Sequence, residues 1–287
     1  MKQKLLLVTL AAMSISSASA QAWGYDNNRI AISADGNNAD DPKDKWLRAD
    51  PDDWGGTPAA MAMLAKADKF KQLVHYSYNN FVEGTVAPPA ENMMHINAQE
   101  GIKRLGFNRK VFFDGVEQFE AAKKSLVKEL KRSTEKDPLY FIHMGPSEFL
   151  YQCVKECVDS GSAEALKHLY VISHSGYNDN HCRRDYHHTM AQTIEYSGGR
   201  INFKRIKDQN VKWNPEVGWN SEKNFDVWRW MLESKDPNIQ WLYDCLDDHP
   251  RGVADISDAG MVYYLLTGDE MGSPSKFKAF LGDKILP

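Results

Sequence analysis

Short apolar runs and segments of helical period alternate along the first two thirds of this 287-residue chain, and few folds accommodate that pattern. Residues 29–34, 72–78, 139–144 and 169–173 are rich in β-branched and aromatic side chains and read as buried strands, with 110–113 a weaker fifth. Residues 58–67, 92–105, 117–131 and 147–158 separate them with helical spacing. Strand followed by helix, repeated, implies an α/β fold in which helices flank a mostly parallel central sheet. The last third is richer in Trp, Asn and Asp and ends in helical patterns at 226–233, 239–246 and 258–266. With no internal repeat and no low-complexity linker, residues 21–287 are expected to form one α/β domain.

The first twenty residues stand outside that domain. Lys2 and Lys4 form a positive head, residues 5–12 an apolar run, and Ala18-Ser19-Ala20 a small-residue cleavage signal. This is the pattern of a secretory signal peptide, too short to span a bilayer. It predicts a periplasmic or secreted protein with no membrane association after cleavage. The full chain carries 35 basic and 39 acidic residues, a net charge of -4, and loss of the two lysines makes this -6. Such a balance gives no electrostatic case for a nucleic-acid polymer as partner. Four cysteines (153, 157, 182 and 245) are compatible with an oxidising compartment and one or two disulfides, whose pairing spacing cannot decide.

In an open parallel sheet, ligands bind beyond the carboxyl ends of the strands. Those ends carry polar residues here: Asp35 after the first strand, Asn79 and Asn80 after the second, His143 and then His174-Ser175-Gly176 after the later two. Residues 35–53 hold seven aspartates, the densest part being Asp50-Pro51-Asp52-Asp53 ahead of Trp54-Gly55-Gly56-Thr57. A helix N-terminus favours a nearby carboxylate by about 0.3–1 kcal/mol, enough for one capping aspartate. Two adjacent carboxylates facing a third at a strand end oppose one another, and a divalent cation relieves the conflict. Oxygen ligands without paired His or Cys point to calcium or magnesium, and an irregular oxygen cage favours calcium. The Asp-x-Asp-x-Asp-Gly spacing of an EF-hand is missing, so any such site is assembled from distant segments.

These residues resemble the nucleoside hydrolases, and more closely their secreted bacterial carbohydrate-associated relatives. A strand ending in Asp35, the run Asp50-Pro51-Asp52-Asp53 and the small-residue helix from Ala59 to Ala65 resemble that family's opening motif. Phe141-Ile142-His143-Met144-Gly145-Pro146, Tyr170-Val171-Ile172-Ser173-His174-Ser175-Gly176 and Ala254-Asp255-Ile256-Ser257-Asp258-Ala259 resemble later motifs in the same order. The chain departs from the pattern by the insertion of residues 37–49.

The resemblance implies a calcium-dependent glycosidase. Asp35 would bind Ca2+ and act as catalytic base toward water. Asp53, Asp258 and a carbonyl at Ser173 would be the other metal ligands. Asp52, Asn80, His174, Asn178, Trp213 and Asn214 would bind substrate, a small sugar, nucleoside or oligosaccharide. A non-catalytic carbohydrate-binding protein on the same fold is the competing expectation, and a homo-oligomer is compatible with either. The stretch His181-Cys182-Arg183-Arg184-Asp185-Tyr186-His187-His188 is expected at the pocket entrance, since adjacent histidines diverge and ligate one ion poorly.

Overall fold

The computed structural model describes residues 22–36, 50–85, 87, 91–210 and 218–287. The signal-peptide pattern at 1–20, the insertion at 37–49, and Trp213 and Asn214 therefore lie outside the described residues.

Apolar runs buried on both faces become the strands β1 (Arg29–Ala34), β2 (Leu73–Tyr78), β3 (Phe112–Asp114), β4 (Leu139–Met144) and β5 (Leu169–Ser173). A sixth strand, β6 (Asn202–Arg205), has no apolar run and was not expected. Its Asn-Phe-Lys-Arg sequence suits a sheet edge, where charged side chains discourage further pairing. All neighbours are parallel, in the order β3-β2-β1-β4-β5-β6. Alternate residues serve two cores: Ile30, Ile32 and Ile142 enter one, Ala31, Phe141 and Val171 the other.

Helices α1 (Pro51–Lys66), α2 (Met93–Leu105), α3 (Phe119–Lys131) and α4 (Glu148–Asp159) link the strands. Two short helices, α5 (Gly176–Asn180) and α6 (Met190–Tyr196), follow β5. The last third adds a two-stranded antiparallel pair, β7 (Asn220–Glu222) with β8 (Ala254–Asp255), and the helices α7 (Pro237–Asp247), α8 (Ala259–Thr267) and α9 (Pro274–Leu281). The pattern expected as a helix at 226–233 is a 3-10 segment, Phe225–Met231. All four cysteines are free, so the expected disulfides do not form in this structure. Among the described residues, no helix is long and apolar enough to cross a membrane.

Two features of this architecture fix the site. The chain runs outward from β1 through β2 to β3 and then returns to place β4 on the other side of β1. The crevice between the carboxyl ends of β1 and β4 is thus a topological switch point, the usual ligand position in such sheets. The second feature is the start of α1, seven residues earlier than the sequence pattern suggests, running through Gly55, Gly56 and Pro58. Those glycines let α1 meet the segment between β8 and α8. A Cβ on Gly55 would lie 2.3 Å from the Asp255 carbonyl oxygen, and one on Gly56 would lie 3.2 Å from the Asp258 Cβ.

Alanine in a helix interior is ordinarily more stable than glycine by about 0.5–1 kcal/mol. At position 55 the sign should reverse, because the added methyl meets backbone. Gly55→Ala is expected to destabilise by about 1–3 kcal/mol, the usual cost of overpacking. Urea unfolding measures this, and equal or greater stability would contradict the close approach.

A candidate metal centre at the switch point

Asp35 follows β1 directly. Its backbone N–H donates to the Met144 carbonyl at the end of β4 (2.9 Å) and to Asp53 Oδ1 (3.1 Å). Asp53 stands in the first turn of α1, so this bond ties the helix start to the strand end. Glycines make room for the junction: a Cβ on Gly36 would lie 2.7 Å from the Asp53 Cβ, and one on Gly145 would lie 2.7 Å from the Asp35 Cβ.

Asp258 arrives from the far end of the chain, just before α8. Asp52, Asp53 and Asp258 each bring a carboxylate oxygen within 4.8 Å of the others'. Asp53 and Asp258 are fully buried, whereas Asp35, Asp50 and Asp52 are partly exposed and form the mouth. Asp258 is at the N-cap of α8 but makes no capping hydrogen bond. Its Oδ1 receives His174 Nε2 at 2.7 Å, and its Oδ2, shielded from solvent, has no partner. Asp255 is buried beside it and accepts the Ser257 amide at 2.9 Å.

Crowding like charges away from water has the expected electrostatic result. Desolvation, with the fields of Asp35 and Asp258, raises the Asp53 carboxyl well above its ordinary value. Desolvation together with Asp50 and Asp258 does the same to Asp52. Asp50 is pushed up to about 7 by desolvation and the charges of Asp35, Asp258 and Asp255, although a hydrogen bond with Asp52 opposes the rise. Asp255 rises to about 6, chiefly through burial. Each value records a group that would stay ionised only at a cost unless positive charge were supplied.

Two of the expected positions already have protein partners. The Ser173 carbonyl accepts the Ile206 amide in the β5–β6 ladder (2.8 Å), and the Ser173 hydroxyl donates to Asp179 (2.7 Å). His174 is buried with both ring nitrogens engaged: Nε2 with Asp258, and Nδ1 with the Gln209 amide at 3.2 Å. Burial lowers this ring and the carboxylates of Asp208 and Asp258 raise it, but an Nδ1 that accepts the Gln209 amide carries no proton, so in this arrangement the ring is the neutral Nε2–H tautomer. Of those two contacts, the 2.7 Å bond to Asp258 is a true hydrogen bond, while Asp208 lies 3.5 Å from Nδ1.

Asn80 is buried after β2. Its Nδ2 donates to Ser33 and Ser77, and its Oδ1 has no partner. Asn178 is partly exposed on α5. Trp219 is core: fully buried, it packs on Tyr263 and Phe277 and donates to Gln209 Oε1 at 2.9 Å. The 181–188 stretch clasps the residues after β2. Arg184 donates to the Glu83 carbonyl (2.8 Å), Tyr186 to the Glu83 carboxylate, and Arg183 lies over the Phe81 ring at 3.3 Å.

Asp255 and the His174–Asp258 bond were missed from sequence. Asp255 was visible three residues before Asp258, but which of the two faces the crevice depends on a turn whose phase spacing does not reveal.

No family model matches the chain. It is similar to "Uncharacterized protein P22" of Formosa agariphila, 29% identical over 261 residues that cover 85% of each chain.

The raised carboxyls give a pH prediction with a definite sign. Unfolded aspartates titrate near 3.9, so above that pH the metal-free folded state binds more protons than the unfolded state and loses stability as pH rises through its own values. Buried His75, lowered to about 3, and His143, lowered by burial, act oppositely, but only below about pH 6.5. Between pH 6.5 and 8 in chelator the melting temperature should therefore fall as pH rises. Added calcium should raise it more at pH 8 than at pH 6.5. A flat or rising chelator profile with no response to calcium would contradict this electrostatic reading.

Proposed function

We propose that this chain is a calcium-dependent glycosidic-bond hydrolase, acting in the periplasm or outside the cell on a small sugar-bearing molecule such as a nucleoside or oligosaccharide. The observation that carries the reading is the convergence of Asp35, Asp52, Asp53 and Asp258 at the β1–β4 crevice, with one buried Asp258 oxygen unpartnered. An all-carboxylate donor set of this kind suits a hard cation, and its irregular layout suits calcium over magnesium. Asp52, Asp53 and Asp258 would hold the ion, with Asp35 beside them through Asp53. The resemblance of the opening and closing motifs to nucleoside hydrolases supports the same choice.

A calcium ion held there would supply the charge that lets these carboxylates remain ionised together, and would fix a pair of neighbouring sugar hydroxyls. Asp35 would take the proton of an attacking water, a role supported by its partial exposure and by a backbone held by Met144 and Asp53. Asp52, partly exposed beside Asp53, would accept hydrogen bonds from sugar hydroxyls. The surrounding negative charge stabilises positive charge developing at the anomeric carbon as the glycosidic bond breaks. The water oxygen would bond to the anomeric carbon as the aglycone leaves with the bonding pair and takes a proton from solvent, and a single displacement of this kind inverts that carbon.

Sugar release from nucleosides and oligosaccharides, assayed with calcium and with chelator, tests the proposal. The wild-type protein should turn over only with calcium. Asp35→Asn should lose about 10²–10⁴-fold in kcat, the usual contribution of a general base, with ligand affinity largely kept. Calcium-dependent sugar binding without any release by the wild-type protein would overturn the hydrolase and leave a carbohydrate-binding protein.

A further inference from the structure

We propose that His174 is a positioning residue for the calcium site, acting through its Nε2–H bond to Asp258; this rests on the metal-binding part of the proposed function. Asp258 comes to the converging set from the C-terminal third of the chain, and its carboxylate does not cap α8. His174 occupies Oδ1 at 2.7 Å. That leaves Oδ2, buried and unpartnered, as the atom offered to the crevice. An aspartate serving only to start a helix would turn an oxygen onto the helix amides. Here the imidazole holds it away from them.

The ring is itself held. The Gln209 amide donates to Nδ1 at 3.2 Å, which places the hydrogen on Nε2 and directs it at Asp258. Gln209 is anchored in turn: its Oε1 accepts Trp219 Nε1 (2.9 Å), and its Nε2 donates to the carbonyls of Lys207 (2.7 Å) and Glu270 (2.9 Å). The series Trp219, Gln209, His174, Asp258 therefore carries the rigidity of the aromatic core to one oxygen atom. Hydrogen bonds of this kind orient metal ligands, and their loss costs about 10–100-fold in metal affinity. The series also accounts for a buried histidine at the end of β5.

Calorimetric titration of the full chain with calcium at pH 7.5, for the wild type and three variants, tests the assignment. His174→Gln keeps a donor near the Nε2 position and should bind calcium within about threefold of wild type. His174→Leu should bind about 10–100-fold more weakly. His174→Asn, whose amide falls short of Asp258, should weaken binding similarly and serves in place of the leucine variant should that fail to fold. A merely structural histidine would lower the melting temperature in chelator without changing calcium affinity. Equal affinities across wild type and folded variants would overturn the positioning role while leaving the metal site standing. No calcium binding by the wild-type protein would overturn the metal site and this inference together.

Discussion

Mutual repulsion among carboxylates packed at the mouth of a parallel sheet is the constraint around which this molecule is organised. Asp35, Asp50, Asp52, Asp53, Asp255 and Asp258 come from three separate parts of the chain, and several are driven well above their ordinary titration range. A fold gains nothing in stability from assembling them. Burying like charges costs free energy unless protons or a cation neutralise them. Such a cost is tolerated where chemistry requires it, and strongly perturbed groups gather at functional sites for that reason.

The rest of the structure supplies the means of assembly. Parallel strand order creates the crevice, and glycines remove the side chains that would keep its walls apart. Gly36 and Gly145 admit Asp53 and Asp35, while Gly55 and Gly56 admit the turn that carries Asp255 and Asp258. Far below the crevice, Arg29 at the start of β1 closes the opposite end of the sheet. It binds Glu129 and Asp137 at 3.0 and 2.9 Å and donates to Ser133. Acidic groups at that end of β1 are thus neutralised by arginine, whereas at the crevice Asp258 meets the imidazole of His174.

Much of this was legible in the residues because buried parallel strands leave a strong local signal. β1, β4 and β5 have the bounds their apolar runs suggest, and β2 differs by one residue. Where tertiary contact outweighs local pattern, reading failed. Gly55, Gly56 and Pro58 near the start of α1 argue locally against a helix; packing against the β8–α8 segment decides otherwise. β6 is a polar edge strand without a hydrophobic period, and β7 and β8 are too short to show one. At the site, Asp35 and Asp53 were legible as a strand end meeting a helix start. The imidazole of His174, by contrast, read as a pocket residue because its partners Asp258 and Gln209 are 84 and 35 positions away. Hydrogen bonds at that separation leave no periodicity.

A crystal structure determined from protein grown in calcium tests the central claim most directly. The account predicts one ion in the β1–β4 crevice, with carboxylate oxygens of Asp53 and Asp258 at about 2.3–2.6 Å and anomalous scattering that matches calcium. A crevice without an ion, in which these aspartates meet as protonated pairs sharing hydrogen bonds, would contradict it.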